Sequence, residues 1–140
     1  MALPSHIQLQ IVSADRSLVS ERVDEVEIPG ADGYFGVLPG HTPLLAALGA
    51  GELWYRQGLE KHYLVLAFGF AEVQSERVTI LAQIAERAAD VDINRAQSSL
   101  KRAQERLASP AVDIDFERAR IALLKSLTRL QVASRARIRS

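Results

Sequence analysis

The residues best placed to do chemistry are cations set at helical spacing near the end of the chain. Arg95 and Arg102 are seven apart, and Arg118, Lys125 and Arg129 follow at seven and four, so each set falls on one face of a helix. If the two helices fold back on each other, the charges converge into a site for phosphate or carboxylate. A solvated basic face is the plainer reading of the same spacing. Nucleic-acid binding fits poorly, because no aromatic residues are interleaved with these charges and the rest of the chain is acidic.

Nothing else in the sequence has the pattern of a catalyst. The three histidines, His6, His41 and His62, have no carboxylate at metal-binding spacing beside them. There is no GxxxxGK[ST] phosphate loop, no recognisable Ser, His and Asp nucleophile motif, and no cysteine for thiolate or disulfide chemistry. The glycines at 30, 33, 36 and 40 are not a dinucleotide loop and are expected to make tight turns instead. The chain is therefore expected to be no enzyme by itself, with no catalytic residue, no metal site and no required cofactor.

The elements that must position the cations follow from charge and period. Residues 1–86 carry 5 Lys+Arg against 11 Asp+Glu, and residues 87–140 carry 12 against 6, so a net −6 and a net +6 cancel to zero. In the acidic part apolar residues alternate. Ile7, Leu9 and Ile11 share one strand face, Val78, Ile80 and Ala82 another, and Val23 is out of phase with Val26 and Ile28, which marks a bulge or strand break. Turns are expected at Gly30–Gly40, Gly49–Ala50–Gly51, Gln57–Gly58 and Ser75–Glu76, with Lys61–Gly69 and Phe70–Gln74 as separate strands, cutting the chain into seven to ten short strands. The basic part has no glycine. Asp92 is a fitting N-cap for a helix with Ala96, Leu100, Ala103 and Leu107 on one face, ended by Ser109–Pro110. Asp113 is expected to cap a second, with Phe116, Ala119, Leu123, Ser126, Leu130 and Ala133 along its seam. Small residues on both seams permit close antiparallel packing, and Ile121, Leu124 and Leu127 are left needing another surface.

The fold class expected from the residues is thus an all-β sandwich or barrel of seven to ten strands over residues 1–88, followed by an antiparallel α-helical hairpin over 89–140. The longest apolar stretch, Tyr63 to Ala71, is far shorter than the ~20 residues of a membrane-crossing helix and reads as a buried strand. The N-terminal residues resemble neither a signal peptide nor an organellar transit segment, which suggests a cytosolic chain held at a membrane only by partners.

The run Gly30-Ala-Asp-Gly-Tyr-Phe-Gly-Val-Leu-Pro-Gly-His-Thr-Pro-Leu-Leu45, closing with Gly51-Glu-Leu53, resembles the epsilon subunit of bacterial and chloroplast F-type ATP synthases. Phe68-Gly-Phe-Ala-Glu-Val73, Val78-Thr-Ile-Leu81 and Ala85-Glu-Arg87 look like the end of the same domain. The resemblance implies an all-β sandwich of about ten strands with a C-terminal helical hairpin, and a non-catalytic central-stalk subunit that couples proton translocation to rotary ATP synthesis, bound to the gamma subunit and the c-ring. It implies a peripheral place on the cytoplasmic face of the bacterial inner membrane. Asp32, Tyr34 and His41 are the positions it assigns to the c-ring. In the family the helices fold against the sandwich or extend along gamma to the alpha/beta catalytic head, where they brake ATP hydrolysis. Arg118, Arg120, Lys125, Arg129, Arg135 and Arg137 would be that inhibitory basic face here.

Some members of that family bind ATP in the folded hairpin through a pattern similar to [IL]-D-x-x-R-A with further basic residues. Here it stands as Val91-Asp92-Ile-Asn-Arg95-Ala96, with Glu86 before it and Arg102, Lys125 and Arg129 after it. Val91 replaces a larger aliphatic residue, and Lys125 stands where nucleotide-binding members carry Arg, exchanging a bidentate fork for a point charge. ATP is therefore expected as a weakly held regulatory ligand. The competing expectation, independent of the resemblance, is a free-standing sandwich whose basic arm binds an acidic protein or nucleic acid.

Overall fold

The computed structural model describes residues 3–109 and 115–139, with side chains up to residue 136. Two compact units divide the chain, residues 1–86 and 87–140.

The first unit is built from seven strands: β1 (Ile7–Ser13), β2 (Ser17–Val23), β3 (Glu25–Gly30), β4 (Gly33–Val37), β5 (Leu44–Gln57), β6 (Glu60–Val73) and β7 (Arg77–Arg87). Their order across the sheet is β2-β1-β7-β6-β5-β3-β4. β1 runs parallel to β7 and antiparallel to β2, and β5 pairs antiparallel with both β3 and β6. Gln57 at the end of β5 donates to the Glu21 carboxylate at 3.2 Å and to the Arg22 carbonyl at 2.9 Å, so the edge strand β2 comes round to β5 and the sheet closes over its own core. Ile7, Leu9, Ile11, Val26, Ile28, Leu53, Leu66 and Ile80 are fully buried in that core. The alternation in the sequence is what puts them there, since every second residue of a strand meets the same face. The expected break between Val23 and Val26 falls at Asp24, where β2 ends and β3 begins.

The seven strands stand at the low end of the seven to ten expected, fewer than the ten the resemblance implies, because two expected breaks do not turn the chain. Gly49–Ala50–Gly51 lies inside β5, whose ladder with β6 keeps one register on both sides of it, Leu48 opposite Gly69 and Ala50 opposite Ala67. These glycines serve close approach instead. A Cβ on Gly49 would lie 3.1 Å from the Gly30 carbonyl oxygen, and one on Gly51 would strike the Tyr34 hydroxyl. Gly36, expected in a loop, pairs with Glu27 inside β4. The join expected between Gly69 and Phe70 is likewise continuous in β6, where Phe68 and Gly69 have φ of 62° and 118°. Gly69 admits no side chain, because a Cβ there would collide with the Leu81 carbonyl oxygen on β7.

The second unit opens with a 3₁₀ turn, Ala88–Asp90, and continues as α1 (Ile93–Ala108) and α2 (Phe116–Arg139) packed as a hairpin. Asp92 caps α1 as expected, its carboxylate accepting from the Arg95 N–H at 3.0 Å. α1 ends at Ala108, ahead of Ser109. Asp113 and Pro110 lie outside the described residues; within them, Asp115 accepts from the Arg118 N–H at 3.1 Å at the start of α2. Ala96 and Ala103 of α1 and Ala119, Ser126 and Ala133 of α2 are buried, as the small-residue seams require. Phe116 departs from its seam and is exposed, whereas Thr128 and Val132, off the expected seam, are buried. Ser126 and Thr128 satisfy their hydroxyls on the carbonyls of Ala122 and Leu124, both at 2.8 Å, so neither needs a partner from outside α2. No described helix is long and apolar enough to cross a membrane.

Candidate functional site

Each unit carries a candidate surface. On the first, β3 and β4 form a hairpin whose tip is Ala31–Asp32, closed by direct pairing of Gly30 with Gly33 at φ 131°. Asp32 is exposed at that tip. Tyr34, two residues on, is also exposed, yet its hydroxyl accepts the Glu52 N–H at 3.0 Å across the gap left by Gly51. The phenol is thereby fixed in position and still open to a partner. Residues 30–35 and 44–47 enclose a groove of about 440 Å³ that includes Asp32 and Tyr34. His41 does not line it. It sits in the turn after β4, where Gly40 donates to the Ser75 carbonyl at 2.6 Å and His41 Nδ1 lies 2.6 Å from the Thr42 carbonyl oxygen.

Beside the groove runs an apolar stripe that the sequence reading missed. Leu45 on β5, Phe70 on β6 and Leu81 on β7 are 70%, 57% and 56% exposed. Ala47 lies directly opposite Phe70, and Gly69 abuts the Leu81 backbone, so the three strands present these residues side by side. Ala71 and Ala82, next to Phe70 and Leu81, are buried, which fixes those two on the outward face; Leu45 shares that face through Ala47, two residues on and opposite Phe70. Large apolar side chains clustered on a solvated sheet face mark an interaction surface. The signal was present as Leu and Phe at positions out of phase with the core.

On the second unit, Arg118, Lys125 and Arg129 line one cleft of about 440 Å³, joined by Ser99 from α1. Arg102 reaches the edge of this site by donating to the Ser99 hydroxyl at 3.2 Å. Arg95 does not line it, and its backbone N–H is held by Asp92. Val91 and Ala96 are buried, and Glu86 belongs to the first unit. Two carboxylates enter the same cleft, Asp115 and Glu117. Glu117 is bound at 2.7 Å by Arg120, whose hydrogen bond and charge hold its carboxyl below the ordinary range and raise the arginine in turn. Arg120 is thus engaged on its own helix, and Lys125, Arg129 and Arg135 have partners as well. The side chain of Arg137 lies outside the described residues. The cleft can take an anion between Arg118, Lys125 and Arg129, on the side away from the Glu117–Arg120 pair.

Comparison with known proteins settles the family. Residues 6–88 match the ATP synthase delta/epsilon chain beta-sandwich domain, and residues 89–134 match its long alpha-helix domain. The chain belongs to the ATP synthase epsilon family. It is 45% identical over 130 residues to the ATP synthase epsilon chain of Nitratidesulfovibrio vulgaris strain DP4, covering 93% of this chain and 97% of that one. The epsilon chain of Lawsonia intracellularis is 46% identical over 101 residues, 72% and 76% of the two chains. A chain in the cryo-EM structure of the Euglena gracilis mitochondrial ATP synthase OSCP/F1/c-ring superposes with a TM-score of 0.81 at 27% identity, over 96% of this chain and 84% of that one. Epsilon chains are accessory, non-catalytic subunits of ATP synthase, and this one acts within the central stalk of its F1 part, peripheral to the membrane. The expected free-standing adaptor is not favoured.

Proposed function

We propose that the first unit docks on the gamma subunit and c-ring while the basic hairpin restrains ATP hydrolysis at the alpha/beta head. The observation that carries this reading is the separation of surface chemistry. The acidic unit offers an apolar stripe and a groove with a fixed Tyr34, and the hairpin offers converging cations. Apolar area suits a lasting interface, whereas exposed charges suit contacts that form and release. Asp32 and Tyr34 at the groove are the residues toward the c-ring; the stripe of Leu45, Phe70 and Leu81 is the face toward gamma. The place of action is the cytoplasmic face of the bacterial inner membrane.

ATP is the regulatory ligand proposed for the hairpin, its phosphates lying against Arg118, Lys125 and Arg129 with Arg102 at the edge. At ~10 times its dissociation constant, ATP favours the form that binds it by about 1.4 kcal/mol. That is enough to shift a balanced equilibrium roughly tenfold. Asp115 and Glu117 in the cleft oppose a polyphosphate and keep the affinity modest.

The test is ATP hydrolysis by an F1 core lacking this subunit, titrated with the parent chain and with an Arg118→Gln/Lys125→Gln/Arg129→Gln variant. Inhibition by the parent, with the variant binding F1 equally but inhibiting several-fold less, is the expected result. Equal inhibition by both would remove the brake from these three cations.

A further inference from the structure

A second cluster of cations lies where the charge count makes it least expected, in the acidic first unit. That unit has five basic side chains, Arg16, Arg22, Arg56, Lys61 and Arg77. Arg56 is held by Glu25 at 3.1 Å and lies 3.6 Å from Asp24, and the Lys61 ammonium sits 4.0 Å over the Trp54 ring. Arg22 and Arg77 are different. Both line one cleft of about 660 Å³, and among the described residues neither guanidinium has an ion-pair or hydrogen-bond partner.

Sheet register explains why they meet. Gln8 on β1 is directly opposite Arg22 on β2 and directly opposite Arg77 on β7. The three side chains therefore stand in a row across three adjacent strands on one face, the arginines roughly 10 Å apart at their Cα atoms with the carboxamide between them. Gln74 adds a second amide, and His6, paired with Asp24 at 3.2 Å, forms one wall. Glu76 is the one carboxylate among the lining residues, and it bonds neither arginine.

We propose that this cleft is an anion-binding site that takes a phosphate group between Arg22 and Arg77, with the Gln8 amide as a third donor. Two guanidinium forks lining one cleft on either side of Gln8 suit a tetrahedral anion. Its several oxygens can accept from both forks and from the amide together, whereas a planar carboxylate fills one fork. Glu76 tunes the affinity by repulsion. The chemistry is the same for a soluble phosphate and for the headgroup of an anionic lipid, and the site lies in a different unit from the hairpin cleft.

The test uses the whole chain carrying Arg102→Gln, Arg118→Gln, Lys125→Gln and Arg129→Gln, so that the cations of the hairpin cleft do not contribute. Inorganic pyrophosphate is titrated while the Arg Nε–H and Gln side-chain resonances are followed, and in parallel the chain is sedimented with phosphatidylglycerol and with phosphatidylcholine vesicles. The expected result is a shift at Arg22, Arg77 and Gln8, an affinity at least about tenfold weaker in Arg22→Gln and in Arg77→Gln, and a tighter one in Glu76→Gln. Retention by phosphatidylglycerol alone, lost in the double arginine variant, assigns the site to lipid; pyrophosphate binding without retention assigns it to soluble phosphate. Resonances unmoved by pyrophosphate together with no selective retention, or an affinity indifferent to all three substitutions, would overturn the site. The opposite signs expected for the arginine and glutamate variants separate a lost ligand contact from a damaged fold.

Discussion

The two units are each held together by a different kind of side chain. The first buries large branched and aromatic residues, among them Ile7, Leu9, Tyr55 and Leu64, whereas the second buries mostly alanine and hydroxyl residues such as Ala96, Ala103, Ser126 and Ala133. Each large side chain removed from water contributes about 1.5–3 kcal/mol, and an alanine much less. A strand unit with such a core is a fixed body. α1, at 16 residues, is close to the length below which isolated helices are marginal in water, and it is joined to α2 only along a small-residue seam. Rigidity therefore belongs to the unit proposed to stay docked, and adjustability to the one proposed to regulate.

The largest effect that could break this contrast comes from the core. Leu9→Ala should cost about 2–5 kcal/mol, because the cavity lies where surrounding strands cannot collapse into it. Leu127→Ala on the exposed side of α2 should change stability by about 0.5 kcal/mol or less. Trp54, the single tryptophan, reports the first unit, and helical circular dichroism reports the second. Leu9→Ala is expected to lower the denaturant midpoint seen by Trp54 far more than that of the helical signal. Coincident midpoints in both variants would mean that the two units unfold as one block and that the contrast is wrong.

A smaller effect sharpens the other half of the comparison. Asp92 satisfies a backbone donor at the start of α1, and loss of such a cap costs about 1 kcal/mol. Asp92→Ala should therefore lower the helical midpoint and leave the Trp54 transition in place. In a unit with little apolar burial, that one cap is a sizeable share of what holds α1.

Much of this architecture was legible because it rests on local rules. The alternation of Ile7, Leu9 and Ile11 marks a half-buried strand wherever it occurs, and the spacing of Arg118, Lys125 and Arg129 puts them together on any helix. Gly49, Gly51 and Gly69 were misread because a glycine needed for close approach looks the same in sequence as one needed for a turn; only the partner backbone at Gly30, Tyr34 and Leu81 tells them apart. Asp115 and Glu117, one turn or less from Arg118, could have been read into the cleft by the same helical arithmetic that found the cations. The row of Arg22, Gln8 and Arg77 could not, because its parallel pairing joins residues about seventy apart in the chain.

The smallest expected effect concerns charge, and it falls again on the fixed unit. Asp24 ties the β2–β3 junction to the β5–β6 turn: its carboxylate accepts the Gly58 N–H at 2.7 Å and meets His6 Nδ1 at 3.2 Å, with Arg56 nearby. Chiefly the Gly58 bond, then His6 and Arg56, hold its carboxyl below the ordinary carboxylate range. A carboxyl lowered by folding contributes stability that is present above its unfolded value, about pH 4, and is lost as pH falls through the folded value. Asp24→Asn should accordingly lower the Trp54-monitored Tm at neutral pH, and the gap between parent and variant should close on acidification through that window. Glu117, lowered on α2 by its exposed bond to Arg120, has the same sign, so Glu117→Gln should produce a similar closing gap in the helical signal alone. A gap that stays constant with pH in the first unit would mean that Asp24 stabilises the fold equally whether ionised or protonated and that the knot is held by geometry instead of charge.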